Sequence, residues 1–189
     1  MQGGFLELID WDRRYREGFY NGVLDAHNLL KSFYREIRQG VVIDIAMGTG
    51  RDAAFLSEKG YRVIGLERST EAIKVFQEIF KAQVSCIIGD ANLLPFKRDI
   101  AEGVIVFYFL IREIMDEIKT ILKKGGVLIY ETFLKRQNLT GGWRNPRYLL
   151  DDGELYSYFS EFELLYYEEV ILREGEKDKA IARFVGRKL

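Results

Sequence analysis

From Val41 onward, short apolar runs alternate with amphipathic stretches, a pattern that predicts a parallel sheet covered by helices. Val41-Val42-Ile43-Asp44-Ile45 reads as a buried first strand, with Tyr61–Leu66, Val84–Ile88, Gly103–Phe109 and Val127–Thr132 as the next four. Between them, Arg51–Lys59 reads as a helix stopped by Gly60, and Arg112–Lys124 as one that ends at a Gly125-Gly126 turn. Ser69 is a natural N-cap for a helix carrying Ala72, Val75, Phe76, Ile79 and Phe80 on one face. Ahead of the first strand, His27–Gln39 is predicted helical, with Leu29, Leu30, Phe33 and Ile37 aligned and Gly40 as its stop. After a short helix at Gly153–Ser160, Phe162–Leu172 and Lys179–Arg187 flank a polar turn, Arg173–Asp178, and predict an antiparallel hairpin. The expected fold is therefore α/β, a Rossmann-like, doubly wound and mostly parallel seven-stranded sheet with an antiparallel C-terminal hairpin. One domain spans 1–189, with residues 1–40 as a helical lid and 41–189 as the core.

The polar positions carry a second regularity. Asp44, Glu67 and Asp90 stand 23 residues apart, each at or just beyond the end of a predicted strand. Parallel βαβ units of that length bring all three to the carboxyl edge of the sheet, where open α/β folds bind their ligands. Beside the first acid lies Ala46-Met47-Gly48-Thr49-Gly50, a loop whose glycines admit unusual backbone angles and close ligand approach. The helix that follows offers free amides to a polar ligand.

These residues admit two readings. Gly48, Gly50 and Ala53, with Glu67 about 20 residues on, form a passable G-x-G-x-x-A dinucleotide fingerprint and allow an NAD-dependent oxidoreductase. Against it, a carboxylate at Asp44 would repel a pyrophosphate yet could accept hydrogen bonds from an ammonium group, and one at Asp90 can accept from an adenine amino group.

Composition narrows the picture. Hydrophobic residues make up 48% of the 189 and charged residues 30%, as in globular domains. With 28 Lys and Arg against 29 Asp and Glu, no overall basic excess recommends nucleic acid as a partner. No apolar run reaches membrane-spanning length, and no signal peptide is expected. The single cysteine, Cys86, excludes an internal disulfide and a cysteine-built metal site; a reducing, cytoplasmic location is expected, with no bound metal.

The ordered motifs VIDIAMGTG, VIGLERS, IIGDANLLPF and LKKGGVLIYETF, spanning roughly Val41–Phe133, resemble the class I S-adenosylmethionine-dependent methyltransferases. WDRRYREGF and NPRYLLDDGELYSYFSEFELLYYEE further resemble the small bacterial tellurite-resistance-type and related small-molecule methyltransferases. The resemblance implies S-adenosyl-L-methionine as cofactor. Asp44 and the loop Ala46, Gly48, Thr49 and Gly50 would hold its methionine part, and Glu67 both ribose hydroxyls. Arg68 would flank the adenine, Asp90 and Ala91 would hold its edge, and Phe107 would lie beside the methionine chain. Two departures stand out. Ala46 replaces the usual first glycine, adding a methyl group where backbone and ligand meet, and the usual aspartate opening the fourth-strand region is replaced within Asp99–Gly103.

On the acceptor side, Tyr108, Arg112 and Glu131 lie near strand ends and are the candidate catalytic groups; Glu131 is the leading one, with anchoring of a loop or salt bridge as its plain alternative. Tyr130 lies nearby. The only histidine, His27, is weighed as a general base against the favoured reading of a surface or helix-packing residue, and Lys123-Lys124 reads as a helix C-terminal charge pair. Trp11, Tyr15, Phe19 and Tyr20 form an aromatic group suited to a lid. Trp143, Arg144, Asn145, Arg147 and Tyr148 form another that could recognise a planar or anionic acceptor, or simply pack under a loop. The expected function is methyl transfer to a small-molecule acceptor. The alternatives are a macromolecular acceptor, which needs a basic face, a non-catalytic cofactor-binding sensor or partner subunit, and the oxidoreductase.

Overall fold

The computed structural model describes residues 10–18, 22, 24–140, 142–174 and 177–189. Its strands are β1 (Val41–Ile45), β2 (Arg62–Glu67), β3 (Val84–Ile88), β4 (Ala101–Phe107), β5 (Leu122–Phe133), β6 (Glu163–Glu174) and β7 (Lys177–Arg187). They form one seven-stranded sheet in the order β3-β2-β1-β4-β5-β7-β6. The first five are parallel, and β7 runs antiparallel between β5 and β6. The order reverses direction at β1/β4, the switch point where such sheets take ligands.

Alternate side chains of each strand face opposite sides, so β1 divides its residues between two cores. Ile43 and Ile45 pack with α5 (Met115–Ile121) and α7 (Glu154–Tyr158) through Met115, Ile118, Leu155 and Phe159. Val42 packs on the other side with α2 (Asn28–Phe33), α3 (Arg51–Glu58) and α4 (Thr70–Ile79) through Leu29, Leu30, Ala53, Leu56, Ile73 and Phe76. Two further helices, α1 (Trp11–Arg16) and α6 (Gln137–Thr140), lie outside these layers in sequence.

Several local expectations hold to the residue. Val41–Ile45 is a strand as expected, Ser69 Oγ caps α4 by accepting from the Ala72 amide at 3.1 Å, and Gly60 adopts φ +87° after α3. Others need correction. The helix expected over His27–Gln39 is only Asn28–Phe33, followed by a 3-10 turn at Tyr34–Glu36. Its polar face is short and the Tyr61 hydroxyl draws off the carbonyls of Tyr34 and Ile37, both at 2.9 Å.

The helix expected to reach Lys124 ends at Ile121, and β5 begins at Leu122. Gly125-Gly126 is an irregularity inside the strand rather than its preceding turn. The register against β4 jumps from Ala101↔Leu122 to Gly103↔Val127, while Gly125 N–H donates to the Lys188 carbonyl at 2.7 Å. Lys123 is thus a strand residue paired with Glu102 at 2.8 Å, not a helix C-terminal charge. The hairpin strands run further than expected and pair as far as Glu174↔Lys177, although residues 175 and 176 of the expected turn lie outside the described residues.

Candidate functional site

The carboxyl ends of β1, β2 and β3 place Asp44, Glu67 and Asp90 along one edge, as their spacing implied. Asp44 shares Val42's face of the sheet. It is 3% exposed, and its Oδ2 is buried with no hydrogen-bond partner. Burial raises its pKa well above the ordinary carboxylate range, and the neighbouring charges of Asp52 and Glu67 push the same way. Such a group calls for a cationic or donor partner and disfavours an added anion.

Glu67, 6% exposed, closes β2 and holds the glycine loop from below. Its two oxygens accept the amides of Gly48 at 2.9 Å and Ser69 at 2.8 Å. Burial raises its pKa, and the amides of Ser69, Gly48 and Arg68 partly offset that rise. Asp90 is exposed beyond β3, where Asn92 donates to it through its backbone N–H at 3.0 Å and its side chain at 2.7 Å; these bonds hold its pKa below the usual value. Arg68 is exposed nearby and its charge acts on Asp90, while Ala91 is buried. Asp90 and Arg68 thus flank a solvent-facing edge between β2 and β3.

The loop has the geometry its glycines suggested: φ is +56° at Gly48 and +71° at Gly50. A Cβ on Gly50 would come within 2.4 Å of the Phe76 ring. Ala46 is also left-handed, at φ +58°, so the departure from glycine strains the backbone as well as adding a methyl group. Ala46→Gly is expected to stabilise the protein by about 1 kcal/mol, read as a raised denaturation midpoint; an unchanged or lowered midpoint would show that the position bears no strain.

α1 lies across this edge. Asp12 accepts from the Ser69 hydroxyl at 2.6 Å and the Glu71 amide at 3.3 Å, and the Tyr15 hydroxyl stands where a Cβ on Gly48 would be, 2.9 Å away. A hollow of about 170 Å³ remains under α1, lined by Asp10, Trp11, Asp12, Arg68 and Ser69. A larger groove, about 600 Å³, lies at the opposite edge, around the amino ends of β1–β3 at Val41, Arg62 and Val84. We place the site at the carboxyl edge despite the groove's size, because the perturbed acids and the glycine loop converge there. Trp11 and Tyr15 belong to α1 at this edge, whereas Phe19 and Tyr20 lie outside the described residues.

The acceptor-side candidates separate. Arg112 is bound in a fork to Glu154 (2.6 and 2.9 Å) and donates to the carbonyls of Arg147 and Leu149. Glu131, 3% exposed, accepts from Arg183 at 2.8 Å, and Arg183 also binds Glu168. Both are engaged in anchoring ion pairs, the plain alternative for Glu131. Tyr130 donates to the Phe109 carbonyl from a fully buried position.

Tyr108, just past β4 at φ +52°, stays at the edge with its ring 4.8 Å from that of Phe133. Phe107 closes β4 beside it. Of the second aromatic group, Arg144 lies 3.9 Å over the Phe133 ring, Asn145 caps a 3-10 turn, and Trp143 is exposed.

Sequence reasoning favoured a packing role for His27 and missed its partners. Its ring stacks on Phe107 at 4.1 Å and 4°, its Nδ1 lies 2.7 Å from Asp52 Oδ2, and its backbone N–H donates to Asp52 Oδ1 at 2.8 Å. The Arg51 guanidinium bonds its Nε2. Arg51 and Asp52 directly follow the glycine loop, the one available signal, but nothing local ties them to a residue 25 positions earlier.

Residues 42–126 match the family model for a methyltransferase domain. The β3-β2-β1-β4-β5-β7-β6 sheet is the class I S-adenosylmethionine-dependent methyltransferase fold, and the matched segment supplies its β1–β5 part as far as Gly126. Among solved structures it is similar to TehB from Haemophilus influenzae (18% identity, TM-score 0.76, covering 94% of this chain and 67% of that one). It is also similar to a chain of the complex between the Haloferax volcanii Trm112 methyltransferase activator and a methyltransferase (16%, TM-score 0.75, 94% and 97%). A SAM-dependent methyltransferase from Aquifex aeolicus aligns at 14% identity and TM-score 0.67, over 94% and 98% of the two chains. No curated protein sequence matches the chain. Among the described residues no helix is long and apolar enough to cross a membrane, and no group of three or more His, Cys, Asp and Glu side chains is gathered for a metal.

Proposed function

We propose that the chain is an S-adenosylmethionine-dependent methyltransferase that acts on a small molecule enclosed beneath its own N-terminal segment, in a reducing, cytoplasmic setting. The observation that carries the reading is the closure of α1 over the carboxyl edge, where Asp12 binds Ser69 and Tyr15 crowds Gly48, leaving beneath it a hollow of only about 170 Å³ rather than an open face. Residues 1–40 then serve as a lid on a 41–189 core within one domain. A macromolecular acceptor would need an open, basic face at this edge, and the lid contributes Asp10 and Asp12 to it.

The residues fit the cofactor. Asp44's unpartnered Oδ2 supplies the acceptor that the ammonium of the methionine part requires, and the same oxygen beside Asp52 and Glu67 would repel a pyrophosphate, which disfavours the oxidoreductase. Ala46, Gly48, Thr49 and Gly50 line the methionine part, with Phe107 at its side. Glu67 keeps a free lone pair on each oxygen for the ribose hydroxyls. Arg68, Asp90 and Ala91 receive the adenine. When bound, the cofactor brings an electrophilic methyl group on sulfur; the chain positions the nucleophile in line with it and excludes water.

The test is to incubate the protein with S-adenosylmethionine labelled in the methyl group and a cell extract, then separate the products by size. Label in the low-molecular-weight fraction is expected. Label confined to protein or nucleic acid would overturn the small-molecule reading.

A further inference from the structure

We propose that His27 is the general base of the reaction, that Asp52 positions it, and that Arg51 masks it until an anionic ligand arrives; the acceptor class this implies is an aromatic hydroxyl bearing a carboxylate. The inference rests on the small-molecule methyl-transfer reading above.

Three observations converge. First, the contacts fix the tautomer. Arginine has only N–H donors, so the nitrogen nearer Arg51, Nε2, carries the lone pair, while Nδ1, 3.4 Å from Arg51 but 2.7 Å from Asp52 Oδ2, donates its N–H to that carboxylate. This is the arrangement a carboxylate uses to orient a neutral imidazole and to stabilise the imidazolium formed later. Second, the pair is nearly buried, 11% and 8% exposed at the side chains, in a water-poor setting that favours directed proton transfer. Third, it sits at the reacting edge: Asp52 is two residues past Gly50, and the imidazole lies flat on Phe107 and 5.2 Å from Tyr108. The charged and titratable groups facing it are Arg51 and Asp52 from α3 and Tyr108 beyond β4; Asp25 of its own segment is turned to Lys31.

The rings of His27, Phe107, Tyr108 and Phe133 make a continuous aromatic wall that ends under the Arg144 guanidinium. A flat ring fits such a wall. A ligand carboxylate offers Arg51 a charge-assisted, two-pronged partner stronger than a neutral imidazole nitrogen, so its arrival frees Nε2. The hydroxyl proton then passes to Nε2 as the oxygen lone pair attacks the methyl carbon. The carbon–sulfur bond breaks with its electron pair left on sulfur, giving the methyl ether, S-adenosylhomocysteine and an imidazolium held by Asp52. The proton leaves to solvent when the lid opens.

His27 is the only histidine, so its signals are unambiguous. In protein labelled with ¹⁵N-histidine, long-range ¹H–¹⁵N spectra should show Nδ1 protonated and Nε2 bare at neutral pH. A protonated Nε2 would overturn the proposal.

Kinetics should be read with 4-hydroxybenzoate, whose hydroxyl is protonated at pH 8, and 4-mercaptobenzoate, whose thiol is already ionised. His27→Ala should lower kcat/KM for the hydroxyl by about 100-fold or more, in the range for loss of a general base. The loss should be at least 30-fold greater than for the thiolate, with added imidazole restoring hydroxyl transfer. Equal losses on both probes, or no transfer to the hydroxyl by the unaltered enzyme, would overturn it. S-adenosylhomocysteine titration separates the two levels: retained cofactor binding with failed kinetics sinks only the base, whereas absent binding in the unaltered protein sinks the methyltransferase site itself.

Discussion

Asp44→Asn is expected to weaken S-adenosylhomocysteine binding by 100-fold or more while making the ligand-free protein more stable. Both effects come from one buried, unpartnered oxygen. In the complex, removing one partner of a buried ion pair costs about 3–5 kcal/mol, the basis for the loss of affinity. In the free protein Arg51 offsets only part of the penalty that burial and the charges of Asp52 and Glu67 impose on this carboxylate, so ionising it there is unfavourable.

Its folded pKa lies above the value of about 3.9 in an unfolded chain, and burial is the main cause. The stability associated with the protonated form is therefore complete below pH 4 and is lost as pH rises through the folded value. The variant, which cannot ionise, escapes that loss. Melting curves of the two proteins should nearly coincide at pH 4 and diverge toward pH 8, with the variant ahead by several degrees. Equal melting temperatures at pH 8 would mean that the carboxylate has a partner in solution.

Glu67→Ala carries the second large effect, with the opposite sign for stability. Its carboxylate accepts the Gly48 and Ser69 amides at 2.9 and 2.8 Å and ties the loop to β2 beside the Met47 N–H bond to the Leu66 carbonyl. Truncation leaves the buried Ser69 donor unsatisfied, at about 1–3 kcal/mol, and the half-buried Gly48 donor at a smaller cost. For a chain of this size that lowers the melting temperature by roughly 2–12 °C, from about 2–4 °C per kcal/mol. Cofactor affinity should fall as well, because the loop loses its brace and the ribose its acceptor. Glu67→Gln keeps one carbonyl acceptor and should fall between the two. Denaturant unfolding followed by circular dichroism measures the first effect and calorimetry the second; a variant as stable as the parent would show that water satisfies the amides.

The architecture was legible because strand periodicity and acid spacing are local signals repeated along the chain. Val41–Ile45 is apolar but for Asp44, and the two intervals of 23 residues between Asp44, Glu67 and Asp90 encode two successive βαβ units. The start of β5 was not legible. Gly125-Gly126 looks like a turn until the β4 register shift and the Lys188 carbonyl give those residues partners. Glu131 and Arg112 looked available because their ion-pair partners, Arg183 and Glu154, stand 52 and 42 residues away in sequence. His27 stayed hidden for the same reason: its partner Asp52 is supplied by tertiary folding. Ala46 was read correctly as a departure from glycine, but its positive φ could be seen only in three dimensions.

The central claim is that the carboxyl edge holds S-adenosylmethionine through Asp44. Calorimetric titration with S-adenosylhomocysteine, with NADH in a parallel cell, tests it most directly. The account predicts one-to-one binding of the first, no heat from the second, and loss of the signal in Asp44→Asn. Binding of NADH alone, or undiminished S-adenosylhomocysteine binding in the variant, would contradict it.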